Sequence, residues 1–232
     1  LLKFLSHCLI GVIFFAAGTV HAQLTENDRQ LYATYENGEQ IPYILTTVNL
    51  QTPRYALILQ PGGNGSMYNY GNFLIRSRNI FADYQTVVAD TDATRSPERM
   101  RGIVYALTAQ YPGIKVYVIG TSNGTFSTMA LGQDMDGEVA GFIHTSSLSA
   151  IGRYDTRHLK SRHLIVHHEL DACRVTPYES AKANHEKFGT EFISVTGGES
   201  YGDACLAQSY HGYKNIEAQV VNQIKAWIES AP

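Results

Sequence analysis

The chain has 232 residues, 44% of them apolar and 17% charged, which is too apolar for a disordered chain and enough for a sizeable core. Lys and Arg number 18 against 21 Asp and Glu, a formal charge of −3, so no diffuse cationic surface is available to hold a phosphate backbone and nucleic acid is not an expected partner. At roughly 150 residues per domain the length allows one or two, but α/β folds often fill such a length as one unit, and no linker or repeat interrupts residues 23–232.

Lys3 precedes the mostly apolar run Leu9 to Ala17, and Val20-His21-Ala22 places small residues where signal peptidase needs them. This predicts a secretory signal over residues 1–22, cut before Gln23. A membrane anchor is the rival, but the run falls short of the roughly 18 apolar residues of a spanning helix. Cys8 leaves with the leader, so Cys173 and Cys205 remain in a chain bound for the periplasm or the exterior. They have one possible pairing, worth roughly 3 to 4 kcal/mol on a chain-entropy argument. Two buried free thiols are the alternative.

Further along, Tyr55–Leu59, Thr86–Ala89, Val116–Ile119, Val139–Ile143, Leu164–Val166 and Phe192–Val195 are continuous apolar runs of strand length, the pattern of strands covered on both faces. Helices alternate with them. Ser96 and Pro97 open one that Pro112-Gly113 stops. Thr176-Pro177-Tyr178-Glu179 has capping-box spacing for another, ending at Gly189. The last carries Ile216, Val220, Ile224 and Trp227 at helical intervals. Such an order predicts an α/β fold, a three-layer α/β/α sandwich around a mostly parallel sheet, with function in the loops at the strand C-termini.

Two segments match Gly-x-Ser-x-Gly, and context separates them. Gly120-Thr121-Ser122-Asn123-Gly124 lies between a strand and the helical stretch that begins Thr125-Phe126, so Ser122 sits on a strand-to-helix turn whose sharpness requires glycines. Gly198-Glu199-Ser200-Tyr201-Gly202 has no helix after it and reads as loop. A serine hydroxyl is a poor nucleophile and needs a base oriented by a carboxylate. Beyond the leader the histidines are His144, His158, His163, His167, His168, His185 and His211. His211 follows the last strand and Asp171 follows the strand over 164–166, which puts both at the working edge. Glu169, two residues away, is the alternative acid. His167 and His168 read as hydrogen-bonded framework. Neither His-Glu-x-x-His nor a cysteine cluster is present, so no metal is expected.

Gln60-Pro61-Gly62-Gly63-Asn64-Gly65, the Ser122 turn, His167–Pro177 and His211-Gly212-Tyr213 together resemble the α/β-hydrolase superfamily, in particular small lidless secreted bacterial serine esterases whose acid and histidine loops each carry a cysteine. Where many relatives have His-Gly, this chain has Pro61-Gly62. The resemblance implies acyl transfer without a cofactor. Ser122 would attack a carbonyl, His211 would move its proton, and Asp171 would orient the ring. The oxyanion would meet the N–H groups of Asn123 and, in the glycine loop, Gly63. Asn64 and Tyr68 are the expected substrate contacts, with Met67 and Tyr70 beside them. A Cys173–Cys205 bridge would tie the acid loop to the histidine loop.

The interval between the strands ending near His144 and beginning near Arg162 is too short for a lid domain. An open cleft suits short-chain, bulky or polymer-attached esters. The expectation is therefore a secreted or periplasmic carboxylic ester hydrolase, monomeric or homodimeric, with no membrane contact once the leader is cut. A thioesterase, amidase or peptidase on the same fold is the nearest alternative, and a non-catalytic binding protein the next, because fold alone does not establish activity.

Overall fold

The continuous apolar runs form strands that send alternate side chains to opposite sides of one sheet. The computed structural model describes residues 24–35 and 38–231, and the expected leader with its cut before Gln23 lies outside them. The strands are β1 (Asp28–Thr34), β2 (Gln40–Thr46), β3 (Tyr55–Gln60), β4 (Thr86–Asp90), β5 (Lys115–Thr121), β6 (Gly141–Thr145), β7 (Arg162–His168) and β8 (Glu191–Val195). Their order across the sheet is β1-β2-β4-β3-β5-β6-β7-β8. β1 and β2 pair antiparallel, as do β2 and β4, and the pairs from β4 through β8 are parallel.

Both faces are covered. Leu57 and Leu59 of β3 pack with Phe73 and Leu74 of α1 (Phe73–Phe81) and with Val220, Ile224 and Trp227 of α5 (Glu217–Glu229). Ala56 and Ile58, one residue out of phase, pack with Met100, Ile103 and Leu107 of α2 (Pro97–Gln110) and Leu131 of α3 (Gly124–Asp134). α4 (Tyr178–Phe188) adds Ala181 to a cluster with Met129 and Ile165 on that second side. Each fully buried Leu, Ile or Phe contributes roughly 1.5 to 3 kcal/mol, so these two layers dominate stability. The outcome is the expected three-layer sandwich with a mostly parallel sheet.

Local signals explain several boundaries. The Ser96 side chain accepts from Arg99 N–H at 3.2 Å, with Pro97 at the first position of α2. Gly189 closes α4 in the left-handed region, at φ 73°. The capping box at Thr176 does not form. Pro177 occupies the cap position with no side-chain bond, because the Thr176 hydroxyl is drawn into the Asp171–His211 contact. Two antiparallel strands and α1 were not legible in the sequence. In α1 the apolar stripe is broken by Arg78, which is buried and makes two hydrogen bonds to Asp28 at 2.6 and 3.1 Å.

Candidate active site

β5 delivers Ser122 to a turn so tight that its backbone adopts φ 52°, a left-handed conformation costly for a residue with a Cβ. The turn is pinned on both sides. Ser122 N–H donates to Thr145 O at 3.0 Å, and Ser122 O accepts from Thr125 N–H at 2.9 Å and from Thr125 Oγ1 at 2.6 Å. The flanking glycines are required by close approach. A Cβ on Gly120 would stand 2.5 Å from Gly124 O, and one on Gly124 would overlap Gln60 O of β3. The hydroxyl is thereby held above the strand ends.

Beside it runs the loop after β3. A Cβ on Gly62 would reach 2.8 Å from Thr121 O, so this backbone packs directly on the serine turn. Asn123 Nδ2 donates to Gly63 O at 2.9 Å and ties turn to loop. The backbone N–H groups of Gly63 and Asn123 have no acceptor among the described residues. Two unpaired donors next to a serine suit an oxygen that is gaining negative charge.

The loops after β7 and β8 bring Asp171 and His211 together. Asp171 Oδ2 accepts from His211 Nδ1 at 3.0 Å, Thr176 Oγ1 at 3.1 Å and His167 Nε2 at 3.2 Å, and Oδ1 accepts from Cys173 N–H at 2.9 Å. Burial opposes ionisation of this carboxyl, but the hydrogen bonds from His167, His211 and Cys173 more than offset it and hold the group well below the usual carboxylate range. Ser147 N–H donates to His167 Nδ1 at 3.3 Å, which leaves the proton of a neutral ring on Nε2, facing the acid. Glu169, the alternative acid, is exposed and accepts from Ser194 Oγ at 2.7 Å instead.

The histidine loop is fixed by the expected disulfide together with side chains whose contacts the sequence did not reveal. Ser146 Oγ donates to His211 O at 2.7 Å, while buried Tyr213 accepts from Ser146 N–H at 3.0 Å and donates to Val166 O at 2.9 Å. Arg76 of α1 donates to Gly212 O. Cys173 and Cys205 form a disulfide that joins the acid loop to the segment preceding His211. His168 is framework, as expected, with Nε2 donating to Gly197 O at 2.7 Å and its ring stacked on Tyr210. His167 is also hydrogen-bonded, but to the acid itself. Only pairing across the loops reveals what Thr176, Ser146 and Tyr213 hold, and no spacing rule would have shown those contacts.

Ser122 and His211 line one open hollow of about 420 Å³, together with Gly63, Phe73, Cys205 and Leu206. With Nδ1 committed to Asp171, Nε2 is the ring nitrogen left for a proton. Ser122 Oγ makes no hydrogen bond among the described residues, and such contacts commonly tighten only when substrate arrives. Asn64 lines a second hollow, of about 320 Å³, on the other side of the Asn123–Gly63 bridge. Tyr68 is exposed and borders neither hollow, because its loop turns it outward, and Met67 is buried. Among the described residues no three His, Cys, Asp or Glu side chains are grouped to hold a metal ion, and no helix is long and apolar enough to cross a membrane.

The sheet order, the serine turn between β5 and α3, and the direct run from β6 to β7 through a short 3-10 helix at Ser149–Arg153 constitute the α/β-hydrolase fold without a lid. Solved structures with this fold superpose over most of the chain. An esterase domain from a Rhodothermus marinus protein is 16% identical with a TM-score of 0.62, covering 86% of this chain and 97% of its own. An α/β serine hydrolase homologue from Coxiella burnetii is 13% identical at TM-score 0.64, covering 87% and 99%. A lidless α/β serine hydrolase from Xanthomonas campestris is 10% identical at TM-score 0.62, covering 90% and 99%. No protein-family model and no curated protein sequence matches the chain.

Proposed function

We propose that the protein is an exported serine hydrolase that cleaves carboxylic esters through a covalent acyl-enzyme. The observation that carries this reading is the strained Ser122 turn opening on the same hollow as a histidine whose far nitrogen is held by a buried, ionised Asp171. His211 Nε2 takes the Ser122 proton as Oγ adds to the ester carbonyl, and the N–H groups of Gly63 and Asn123 meet the oxyanion. Each such donor is worth about 3 to 4 kcal/mol of barrier. His211 then returns the proton to the departing alkoxide, leaving Ser122 acylated. Water enters by the same route and releases the acid. Asp171 remains ionised throughout and stabilises the imidazolium.

The uncovered hollow favours short-chain, bulky or polymer-attached esters over substrates that must be sealed from water. Export over residues 1–22 fits the disulfide, since cytosolic thiols are kept reduced. The solved structures it resembles include an esterase domain, which agrees with this choice of bond. The test is labelling by a fluorophosphonate together with turnover of p-nitrophenyl esters. Ser122→Ala is expected to abolish labelling and lower kcat by about 10⁶. Retained turnover in that variant would discredit the assignment.

A further inference from the structure

The second hollow, on the far side of the Asn123–Gly63 bridge, is walled by donors. Arg95, Asn64, Asn123 and Ser127 line it, with Phe126 as an apolar wall, and no carboxylate borders it. Arg95 is exposed and has no ion-pair or hydrogen-bond partner among the described residues. The two nearest acids in sequence are engaged elsewhere, Asp92 Oδ1 accepting from Met67 N–H at 2.9 Å and Glu98 Oε2 from Ser96 Oγ at 2.7 Å. Asn64 spends its oxygen on Ser66 N–H at 3.1 Å, which leaves its Nδ2 as the free end. Ser127 is 5% exposed, yet its hydroxyl has no partner among the described residues. The first turn of α3 opens on the same space and adds its partial positive charge. A chain of net negative charge thus keeps an unpaired guanidinium, a free amide and an unpartnered hydroxyl around one hollow that Asn123, the residue after Ser122, also lines.

Resting on the hydrolase reading above, we propose that this hollow is a subsite for a carboxylate carried by the ester substrate, with Arg95 as the specificity-determining residue. The guanidinium can take a carboxylate through two parallel N–H donors, while Asn64 Nδ2 and the Ser127 hydroxyl satisfy its remaining lone pairs. A neutral ester of equal length would leave the cation without a partner. The substrate class is therefore monoesters of dicarboxylic acids, or polymers with free carboxylates near the scissile bond.

The experiment compares p-nitrophenyl hemiglutarate with p-nitrophenyl valerate. The ratio of kcat/KM, charged over neutral, is expected to fall at least tenfold in Arg95→Gln, mainly through KM, and to fall further in Arg95→Glu. Arg95→Lys should restore part of it, and added salt should shrink the ratio in the parent enzyme. In Ser122→Ala, monomethyl glutarate should bind at least tenfold more weakly once Arg95→Gln is added, a readout independent of turnover. A ratio and an affinity that are both unchanged by Arg95→Gln overturn the subsite. Loss of fluorophosphonate labelling in the parent protein would instead overturn the hydrolase reading, so the two failures are distinguishable.

Discussion

Removing the disulfide tests how the site is held together. Cys173 and Cys205 are 32 positions apart, and opening a loop of that size frees chain entropy worth about 4 kcal/mol. Cys173 is buried and its own N–H donates to Asp171 Oδ1, while Cys205 lines the hollow that contains Ser122. From Cys205 the chain reaches His211 through Ser209, which donates to Ala204 O at 2.7 Å and accepts from His211 N–H at 3.2 Å. The bridge therefore ends beside Asp171 at one side and, through Ser209, braces the loop that carries His211 at the other.

In Cys173→Ala/Cys205→Ala the folded state should persist, because about 4 kcal/mol is less than the 5 to 15 kcal/mol of an ordinary domain. With a urea slope of about 2 to 3 kcal/mol per molar, the midpoint should fall by about 1.3 to 2 M. Activity should fall before structure does. A displacement of the imidazole by about 1 Å can cost up to 10²-fold, so kcat/KM should drop without denaturant while far-UV circular dichroism stays native. Urea melts and ester turnover are measured on the double variant and on wild type reduced under thiol counting. An unchanged midpoint and an unchanged kcat/KM after complete reduction would refute the reasoning.

Three further predictions follow from buried groups near the sheet. Burial lowers His163 to about 4, against some help from Asp136, and His144 beside it is lowered too. Both are neutral in the fold, so stability is complete above the ordinary histidine value near 6.5 and declines as pH falls toward 4, by roughly 3 kcal/mol for His163. His163→Gln should flatten the stability profile in that window, and an equally steep profile would contradict it. Asp90 is buried with both carboxylate oxygens lacking a hydrogen bond, and burial raises its pKa well above the usual range despite Arg78. Its contribution is lost as pH rises, so Asp90→Asn should raise Tm at pH 8 and converge with wild type near pH 4; a lower Tm at pH 8 counts against this. Gly124→Ala, worth up to about 1 kcal/mol of gain in an ordinary helix, should instead lower Tm or soluble yield because its Cβ would overlap Gln60 O. A Tm at or above wild type would remove the close-approach argument.

The linear chain determined the sheet and the sharp turn at Ser122. Continuous apolar runs fix covered parallel strands, since alternate residues such as Leu57 and Ile58 must each find a helix layer. Glycines two residues either side of Ser122 mark the turn because nothing larger fits there. Ser122, Asp171 and His211 could each be placed at the strand C-termini by order alone. Contacts made across loops were beyond reach. Local pattern assigned Thr176 to a helix cap, and tertiary structure gave its hydroxyl to Asp171 and His211. Of the two candidate carboxylates, Asp171 is buried against the His211 ring, whereas Glu169 is exposed and bonded to Ser194. Tyr213 and Ser146, far apart in sequence, anchor the histidine loop, and Arg78 turns a charged position into a buried helix face by pairing with Asp28 from β1. Propensity and periodicity act over a turn or a strand, so they specify elements and their order. Hydrogen bonds between loops depend on how those elements pack, and only the folded chain brings the partners within reach.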